Sequence, residues 1–324
     1  MRVGQNPIKA IERIAPPAPV TAVVISFIPF LSGYYQHGLD LLKLCLTSLN
    51  QTSRGNADLM VFDNGSCAEV RDYLLAQQVA GSIQYLTLSE RNLGKPAAWN
   101  FAFAAAPGEY VAYADSDVYF YPGWLEASLA AFKDFPQSGM VTAMPILTPE
   151  KYSTTTVKWA RKQRTVKVER GSLLPWEDFW RHAHSLGDDE ETARAFYSAT
   201  PAVRLKHKRK SYYAGAAHFQ FMARKIVLQE VLPIPAERPM GRVRLLDEAI
   251  NAEGHLRLST QEWYVQHLGN QAPSAEDFVH PVDIDLPKAG KPRSTSGIWR
   301  SAPLRKFLQW LNGWSFARLH GGRK

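Results

Sequence analysis

Between residues 20 and 117 the chain alternates four times between short apolar runs and segments with helical spacing or a high alanine content. The apolar runs lie at residues 20–27, 58–62, 83–88 and 110–115. Short runs rich in β-branched and aromatic residues are typical of buried strands. Strands that alternate with helices at such short intervals form a parallel sheet joined by crossover helices. The alternation therefore predicts an α/β fold.

The fourth predicted strand ends at two carboxylates one residue apart, Asp115 and Asp117. In an open α/β sheet, ligands bind just beyond the carboxyl ends of the strands. Two acids placed there repel each other and lose hydration unless a cation or hydrogen bonds compensate them. Carboxylate oxygens suit Mg²⁺ or Mn²⁺, usually shared with a phosphate-bearing substrate. Taken alone, such a triplet also fits a solvated turn, so the neighbouring motifs decide its interpretation.

Two further motifs precede this pair. Asp-Asn-Gly-Ser at residues 63–66 follows the second predicted strand, and Arg-Asn-Leu-Gly-Lys at residues 91–95 opens the alanine-rich segment. Together with Gly-Glu-Tyr-Val-Ala-Tyr-Ala-Asp-Ser-Asp at residues 108–117, this order of motifs resembles the nucleotide-sugar-binding half of the family 2 glycosyltransferases. The resemblance covers residues 20–150 well and 212–270 more loosely. It implies a Rossmann-like GT-A fold, with a mostly parallel sheet flanked by helices.

The resemblance also implies a set of roles around a nucleotide-sugar donor. Asp117 would hold Mn²⁺ or Mg²⁺ on the donor diphosphate, and Asp115 would join it or hold the ribose or a metal-bound water. Asp63 would hydrogen-bond the base or the ribose. Arg91 would contact phosphate or brace the loop of Asp63. Lys95 would assist the binding of phosphate or remain a solvated cation.

The first predicted strand departs from the family pattern. Family members usually end this strand in Pro-Thr-Tyr-Asn or a similar run, whereas this chain has Ser-Phe-Ile-Pro at residues 26–29. Phe27 is therefore the candidate for the stacking contact with the base. The same segment bears on a rival function, a nucleotidyltransferase that makes sugar nucleotides. Such enzymes usually carry a Gly-rich, basic loop after the first strand, and the run Phe27–Leu31 contains neither glycine nor a cation.

A predicted helix over residues 244–253 carries two acids, Asp247 and Glu248, near its start. From charge alone, these acids complement the positive end of the helix dipole. The resemblance implies a second role, because the family places its acidic catalytic residue at the start of such a helix. An acceptor hydroxyl has a high pKa, so a carboxylate must take its proton during the attack. Asp247 is the first candidate for this base and Glu248 the second, and the resemblance implies inversion at the anomeric carbon.

His267 follows the predicted strand 262–266 and precedes Leu268 and Gly269. Two interpretations stay open for it. A single histidine in this position is often structural. In some GT-A enzymes, however, a C-terminal histidine contacts the metal or the diphosphate, and the resemblance would give His267 that role.

The 324 residues are enough for one large domain with appendages. We expect a single GT-A domain, made of a nucleotide-sugar-binding half and an acceptor-binding, catalytic half. A variable insertion or flap separates the halves, and its basic run at residues 203–210 favours a solvated loop over a flap on the diphosphate. The expected segments are an irregular arm at 1–19, the donor half at 20–150, the insertion at 151–211, the catalytic half at 212–270 and a basic tail at 271–324.

The basic character of the chain is confined to its tail. The formal net charge is +8, from 38 basic and 30 acidic side chains. Nine of the basic residues and none of the acidic ones follow Leu286, which leaves 29 basic against 30 acidic residues before it. A nucleic-acid-binding body would carry a basic face of its own, so we expect no nucleic-acid partner.

The chain has no early apolar segment of the kind found in signal peptides and no apolar stretch of the roughly 20 residues that a spanning helix needs. We therefore expect a cytoplasmic protein, with peripheral attachment to the inner face of the membrane if the tail binds lipid. The expected substrates are a nucleotide-sugar donor and a glycan or lipid-linked glycan acceptor. A non-catalytic protein that only binds nucleotide sugars stays open as an alternative, and transfer to an acceptor would separate it from an enzyme.

The tail generates the first testable prediction. Apolar residues recur there at helical spacing, flanked by Lys and Arg: Leu304, Phe307, Leu308, Leu311 and Trp314. Such a helix either packs on the catalytic body or lies in an anionic membrane surface. We expect the full-length chain to co-sediment with anionic liposomes, less so with added salt, and a chain truncated after Pro287 to lose this binding. Equal sedimentation of both forms would leave the tail as a packing or partner-binding arm.

Overall fold

The computed structural model describes residues 4–53, 55–237, 241–282 and 310. Contacts divide the chain into two units, residues 1–287 and 288–324, and the first unit contains the sheet with its flanking helices. Apart from Trp310, which is helical and exposed, the predicted tail helix lies outside the described residues. None of the described helices combines the length and the apolar content needed to cross a membrane.

The alternating pattern of residues 20–117 is present as predicted, with element ends within a few residues of the expected ones. The first, second and fourth apolar runs form strands that are mostly buried on both faces of the sheet, whereas the third forms an edge strand that is partly buried or exposed. Cys45 is buried in the first helix, and Cys67 directly precedes the second. The elements are β1 (Val20–Ser26), α1 (Gly38–Ser53), β2 (Ala57–Asp63), α2 (Ala68–Val79), β3 (Tyr85–Leu88), α3 (Lys95–Ala105) and β4 (Tyr110–Asp115).

The remainder of the first unit adds eight strands and six helices to the described part of the chain. They are β5 (Val118–Phe120), α4 (Trp124–Asp134), β6 (Ser138–Thr142), α5 (Thr154–Lys162), β7 (Val166–Gly171), α6 (Trp176–Ser185), α7 (Glu190–Ala199), β8 (Ala202–His207), β9 (Lys210–Ala214), β10 (Gln220–Arg224), α8 (Lys225–Val231), α9 (Arg244–Ala252), β11 (Leu256–Thr260) and β12 (Val265–His267).

Ten of these strands form one sheet in the order β3-β2-β1-β4-β10-β6-β11-β9-β8-β7, while β5 pairs with β12. The predicted α/β class is confirmed, with helices flanking a large sheet. The sheet is mixed rather than mostly parallel. Strands β3, β2, β1 and β4 are parallel, and so are β6 and β11, but all other neighbours in the ten-stranded sheet are antiparallel.

Side chains of successive strand residues point to opposite faces of the sheet, and each face has its own core. Val24 and Ala112 belong to the core shared with α1, α2 and α4. Val23 and Tyr113 belong to the core shared with α3, α8 and α9. This second core contains an aromatic group, in which the Trp99 ring meets Tyr113 edge-on at 5.3 Å between ring centres. The sheet is therefore covered on both faces, which leaves its strand ends as the accessible edge.

The prediction of a solvated loop over residues 203–210 is wrong. This run forms β8 and the start of β9, which pair as an antiparallel hairpin. Val203 and Leu205 are buried, while Arg204 and Lys206 project to the other side and contact Glu169 at 2.7 and 3.1 Å. The run alternates between buried apolar and basic residues, as a strand does. The many cations suggested a loop, but Glu169 on the neighbouring strand β7 pairs with two of them.

Candidate functional site

The carboxyl ends of β2 and β4 bring two of the predicted acids to one edge of the sheet. Strand β1 lies between them and pairs Ser26 with Asp63 on one side and Ile25 with Asp115 on the other. Asp117 lies two residues beyond the end of β4. This is the edge at which ligands bind in open α/β sheets.

Asp63 is fully buried and holds the loops that follow β1 and β2. One of its oxygens accepts a hydrogen bond from the Ser26 hydroxyl at 2.9 Å, and the other accepts one from the Ser66 amide at 3.1 Å. The Ser66 hydroxyl in turn accepts a hydrogen bond from the amide of Ile28 at 2.9 Å. The side chain of Asp63 therefore stabilises the loops that follow β1 and β2.

The two asparagine-containing loops interlock. Asn64 donates from its amide nitrogen to the Asn92 side-chain oxygen at 2.9 Å and accepts from the Leu93 amide at 2.8 Å. Gly65 has a φ of +87°, and a Cβ there would lie 2.9 Å from the backbone carbon of Arg91, so only glycine fits this close approach. The backbone at Arg91 is held in this way, while its side chain is exposed.

Asp115 is neutralised by Lys95, the first residue of α3. The Lys95 ammonium lies 2.7 and 2.8 Å from the two carboxylate oxygens. Tyr113 donates a hydroxyl hydrogen bond to the same carboxylate, and Lys95 also lies over the Trp99 ring at 5.3 Å from its centre. The predicted phosphate-binding lysine is therefore, in this state, the counter-ion of the first acid of the pair.

Asp117 has a different partner, His267, whose Nε2 atom lies 3.3 Å from its Oδ2. Burial disfavours the charged form of both groups, but their mutual attraction outweighs it. The pKa of Asp117 is consequently lowered and the pKa of His267 is raised. Two hydrogen bonds hold the pair in place, from the Leu268 amide to the Asp117 carbonyl at 2.8 Å and between His267 Nδ1 and the Ser185 hydroxyl at 3.0 Å.

The donor atoms at Asp117 fit a divalent cation in part. Its Oδ1 atom is shielded from solvent and has no hydrogen-bond partner, and an imidazole nitrogen stands beside the other oxygen. Both ligand types occur around Mn²⁺. The predicted set of Asp115, Asp117 and His267 is not assembled, however, because Asp115 faces Lys95. Within the described ranges, no group of three or more acidic, histidine or cysteine side chains has metal-binding geometry.

Phe27 and the loop after it supply aromatic side chains beside the two acids. Phe27 is partly buried and meets the ring of Tyr35 edge-on at 6.1 Å. The neighbouring Tyr34 is largely exposed. Its pKa is raised by partial burial and by the charges of Asp117 and Asp115.

Asp247 lies in the first turn of α9 and is buried, whereas the adjacent Glu248 is exposed. The Oδ1 atom of Asp247 is 2.8 Å from Nη2 of Arg257. The two groups form an ion pair inside the fold. On its other side, Asp247 lies 3.5 Å from Nδ1 of His218.

Arg257 is the largest buried cation near the site, with no exposed side-chain surface. Burial lowers the pKa of this guanidinium in spite of the attraction of Asp247. Its terminal nitrogens donate to the carbonyls of Tyr152 at 2.6 Å and Ala216 at 2.5 Å. Arg257 thereby ties α9, β11 and two loops into one arrangement around Asp247.

Aromatic and histidine rings fill the space between the pair Asp117–His267 and the pair Asp247–Arg257. The Phe219 ring lies 5.4 Å from His267 and 4.9 Å from His182, between ring centres. Burial, together with the charges of His267 and His218, lowers the pKa of His182 to about 3, so this imidazole is neutral. A cleft of 310 Å³ opens beside these rings and is lined by His182, His218 and Asp247.

Five residues of this arrangement were missed from the sequence: Ser26, Tyr113, His182, His218 and Arg257. Only Arg257 could have been noticed in the sequence, because it is the single charged residue in the strand-like run from Leu256 to Thr260. The other four acquire their importance from partners that are distant in sequence or from the packing around them, as Ser26 does from Asp63.

The sequence profile of the family described as "Glycosyl transferase family 2" matches residues 34–226. No protein of curated function matches the chain. Similar solved structures include residues 1–349 of S. aureus TarS, at 14% identity and a TM-score of 0.44, with 76% of this chain and 59% of that chain covered. Another is the mannosyltransferase PcManGT from Pyrobaculum calidifontis in complex with GDP-Man and Mn²⁺, at 16% identity, a TM-score of 0.45 and coverages of 77% and 57%. The chain thus spans less than two thirds of either structure.

The buried ion pair allows a stability prediction. Asp247→Asn leaves the Arg257 guanidinium buried without its counter-charge, so we expect the free energy of unfolding to fall by about 3 kcal/mol. Glu248→Gln removes the same charge from the next, exposed position and serves as the control, with an expected change below about 0.5 kcal/mol. Urea unfolding of both variants measures the difference. Equal stabilities would show that the charge of Asp247 does not hold Arg257.

Proposed function

The chain belongs to glycosyl transferase family 2, and on that premise we propose that it transfers a sugar from a nucleoside-diphosphate donor to a hydroxyl group. A UDP-sugar is the favoured donor, and a glycan or lipid-linked glycan is the proposed acceptor. One observation supports this above the others. Asp115 and Asp117 lie at the edge of the sheet where β4 ends. A cleft lined by a third acid, the buried Asp247, is joined to them by packed rings.

The proposed donor site is built around the ends of β1, β2 and β4. Phe27 would stack on the base, and the exposed Arg91 would reach the diphosphate. Asp63 would contact the base or ribose at the loops that it holds in place. Asp115 would bind the ribose or a metal-bound water once donor phosphate competes with it for the Lys95 ammonium, 2.7 Å away.

Asp117 and His267 are the proposed protein ligands of Mn²⁺ or Mg²⁺, and the fit rests on the unpartnered Oδ1 atom of Asp117. When bound, such an ion acts as a Lewis acid that neutralises the charge of the leaving diphosphate. Ser185 contributes by fixing the orientation of the His267 ring. Asp115 completes the proposed ligand set if it turns away from Lys95.

Asp247 is the proposed general base. It would take the proton of the acceptor hydroxyl while that oxygen bonds to the anomeric carbon. The bond from the anomeric carbon to the diphosphate breaks with its electron pair leaving on the phosphate oxygen. A single displacement of this kind inverts the configuration. Arg257 would hold the carboxylate in position before the reaction, and the exposed Glu248 is the weaker candidate for the role.

Donor binding tests the function. We expect a panel of nucleotide sugars to contain at least one that raises the melting temperature in the presence of Mn²⁺, since a ligand that binds only the folded state stabilises it. Asp117→Asn should abolish the Mn²⁺-dependent part of this shift, because it removes a charged oxygen ligand.

The matched control is Glu126→Gln, which neutralises an exposed acid on α4 and should leave the shift unchanged. An Asp117→Asn chain that binds the donor with unaltered Mn²⁺ dependence in calorimetry would exclude Asp117 as the metal ligand. The absence of any nucleotide-sugar binding by the unmodified chain would contradict the proposed function itself.

The base generates a separate prediction for turnover. Asp247→Asn should lower the rate of sugar transfer by a factor of about 10² to 10⁴. Donor affinity should hardly change, because the lost interaction belongs to the transition state. Rates are compared at a temperature at which urea unfolding shows the variant to be folded.

Glu248→Gln should transfer sugar at nearly the normal rate. The opposite ranking of these two variants would move the catalytic role to Glu248, and normal rates in both would place the base on another residue. Product analysis by NMR of the anomeric proton determines whether the configuration is inverted.

A further inference from the structure

The mouth of the cleft beside Asp247 carries two cations, Lys151 and Arg244, which both contact the Tyr152 ring. The Lys151 ammonium lies 4.9 Å from the ring centre and the Arg244 guanidinium 5.2 Å from it. Nη1 of Arg244 also donates to the Tyr152 hydroxyl at 2.9 Å. One phenol thus holds a lysine and an arginine from two different segments at the same entrance.

Two acids near this entrance are already paired with other cations. Glu150, next to Lys151 in sequence, lies 2.7 Å from Arg170. Asp247, inside the cleft, lies 2.8 Å from Arg257. Neither Lys151 nor Arg244 is within ion-pair distance of any acid in the described part of the chain. The exposed Glu248 lies one helical turn from Arg244 on α9 but is not in ion-pair contact with it, so both cations are available to an outside anion.

This charge is close to the proposed base. The Tyr152 carbonyl accepts a hydrogen bond from Nη1 of Arg257 at 2.6 Å, and Nη2 of the same guanidinium faces Asp247. The Tyr152 ring therefore contacts Lys151 and Arg244, while its carbonyl binds the guanidinium that pairs with Asp247. A molecule that presents a hydroxyl to Asp247 has its neighbouring groups at Lys151 and Arg244.

We propose that Lys151 and Arg244 bind an anionic group of the acceptor, a carboxylate or a phosphate, and so select an acidic saccharide over a neutral one. The inference rests on the proposed function, since it takes Asp247 as the base. One N–H group of Arg244 is used on Tyr152, and the rest of the guanidinium remains for paired hydrogen bonds to an oxyanion. Apolar residues of the cleft wall, Ile146, Leu147, Pro149 and Phe196, lie beside the cations and suit the carbon face of a sugar ring.

The experiment measures binding of small anions to the full-length chain by NMR titration, with inorganic phosphate, glucuronate, glucose 6-phosphate and the neutral methyl glucoside as probes. The test variant is Lys151→Met/Arg244→Gln. The control is Lys133→Met/Arg161→Gln, which removes the same charges from exposed positions on α4 and α5. We expect the test variant to bind the anionic probes at least about tenfold more weakly than the control, a difference of about 1.4 kcal/mol.

Methyl glucoside should bind equally to all three chains, and the ranking of glucuronate against glucose 6-phosphate identifies the preferred anion. Equal anion affinities in the test and control variants, or no anion binding by the unmodified chain, would overturn the proposal. Lys151→Met alone is measured as well, because its loss leaves Arg244 on Tyr152.

Binding of UDP and GDP to the same chains separates this proposal from the proposed function. Unchanged nucleotide binding in the test variant, together with lost anion binding, supports an acceptor site. If the test variant loses nucleotide binding instead, the two cations belong to the donor site and the inference is wrong. If the unmodified chain binds neither nucleotide nor any nucleotide sugar, the proposed function fails whatever the anion result.

Discussion

Each of the three acids proposed for the chemistry is matched to its own basic side chain. Asp115 faces Lys95, Asp117 faces His267 and Asp247 faces Arg257. Carboxylates gathered at one edge of a sheet would otherwise repel each other and lose hydration energy. The pairing explains how the fold holds Asp115 and Asp117 one residue apart at the end of β4, and how it buries Asp247. These basic side chains differ in how firmly the structure holds them. Arg257 is fully buried and donates to two carbonyls, whereas Lys95 has a long, flexible side chain. Among the three acids, Asp115 is therefore the one that a competing anion releases most easily.

The sequence predicted the donor half well because the information there is local. Strand and helix periodicities repeat within short windows, and the acids follow directly after the strands that position them, as Asp63 follows Met60 to Phe62. The prediction was weaker where the sheet turns antiparallel. Strand β10 comes late in the chain yet lies beside β4, and no local pattern indicates which strand will occupy that position. The basic run at residues 203–210 was wrongly predicted to be a loop for a related reason. Its acidic partner Glu169 is remote in sequence, so the pairing that stabilises the strand is not visible locally.

The same limit applies to the candidate site. The structure places Asp117 with His267, and Asp247 inside the fold with Glu248 outside it. It also shows Lys95 on Asp115 rather than free for phosphate, and Asp63 engaged with the loops. Many of these pairings depend on side-chain contacts between residues far apart along the chain, which single-sequence patterns do not encode. Arg257 is the clearest case, because its partners lie in α9 and in the separate segments of Tyr152 and Ala216.

Strands β6 and β10 are neighbours in the sheet, although the chain between them runs through α5, α6, α7 and the three edge strands β7, β8 and β9. The Thr142 hydroxyl donates to the carbonyl of Gln220 at 2.9 Å, and the Ala143 amide donates to the side chain of Gln220 at the same distance. A segment whose ends are clamped side by side can lengthen, shorten or change its composition at little entropic cost to the strands that hold it. This segment carries Lys151, Tyr152 and His182. Changes in the loop of Lys151 and Tyr152 can therefore alter the proposed acceptor contacts without disturbing the pairing of β6 with β10.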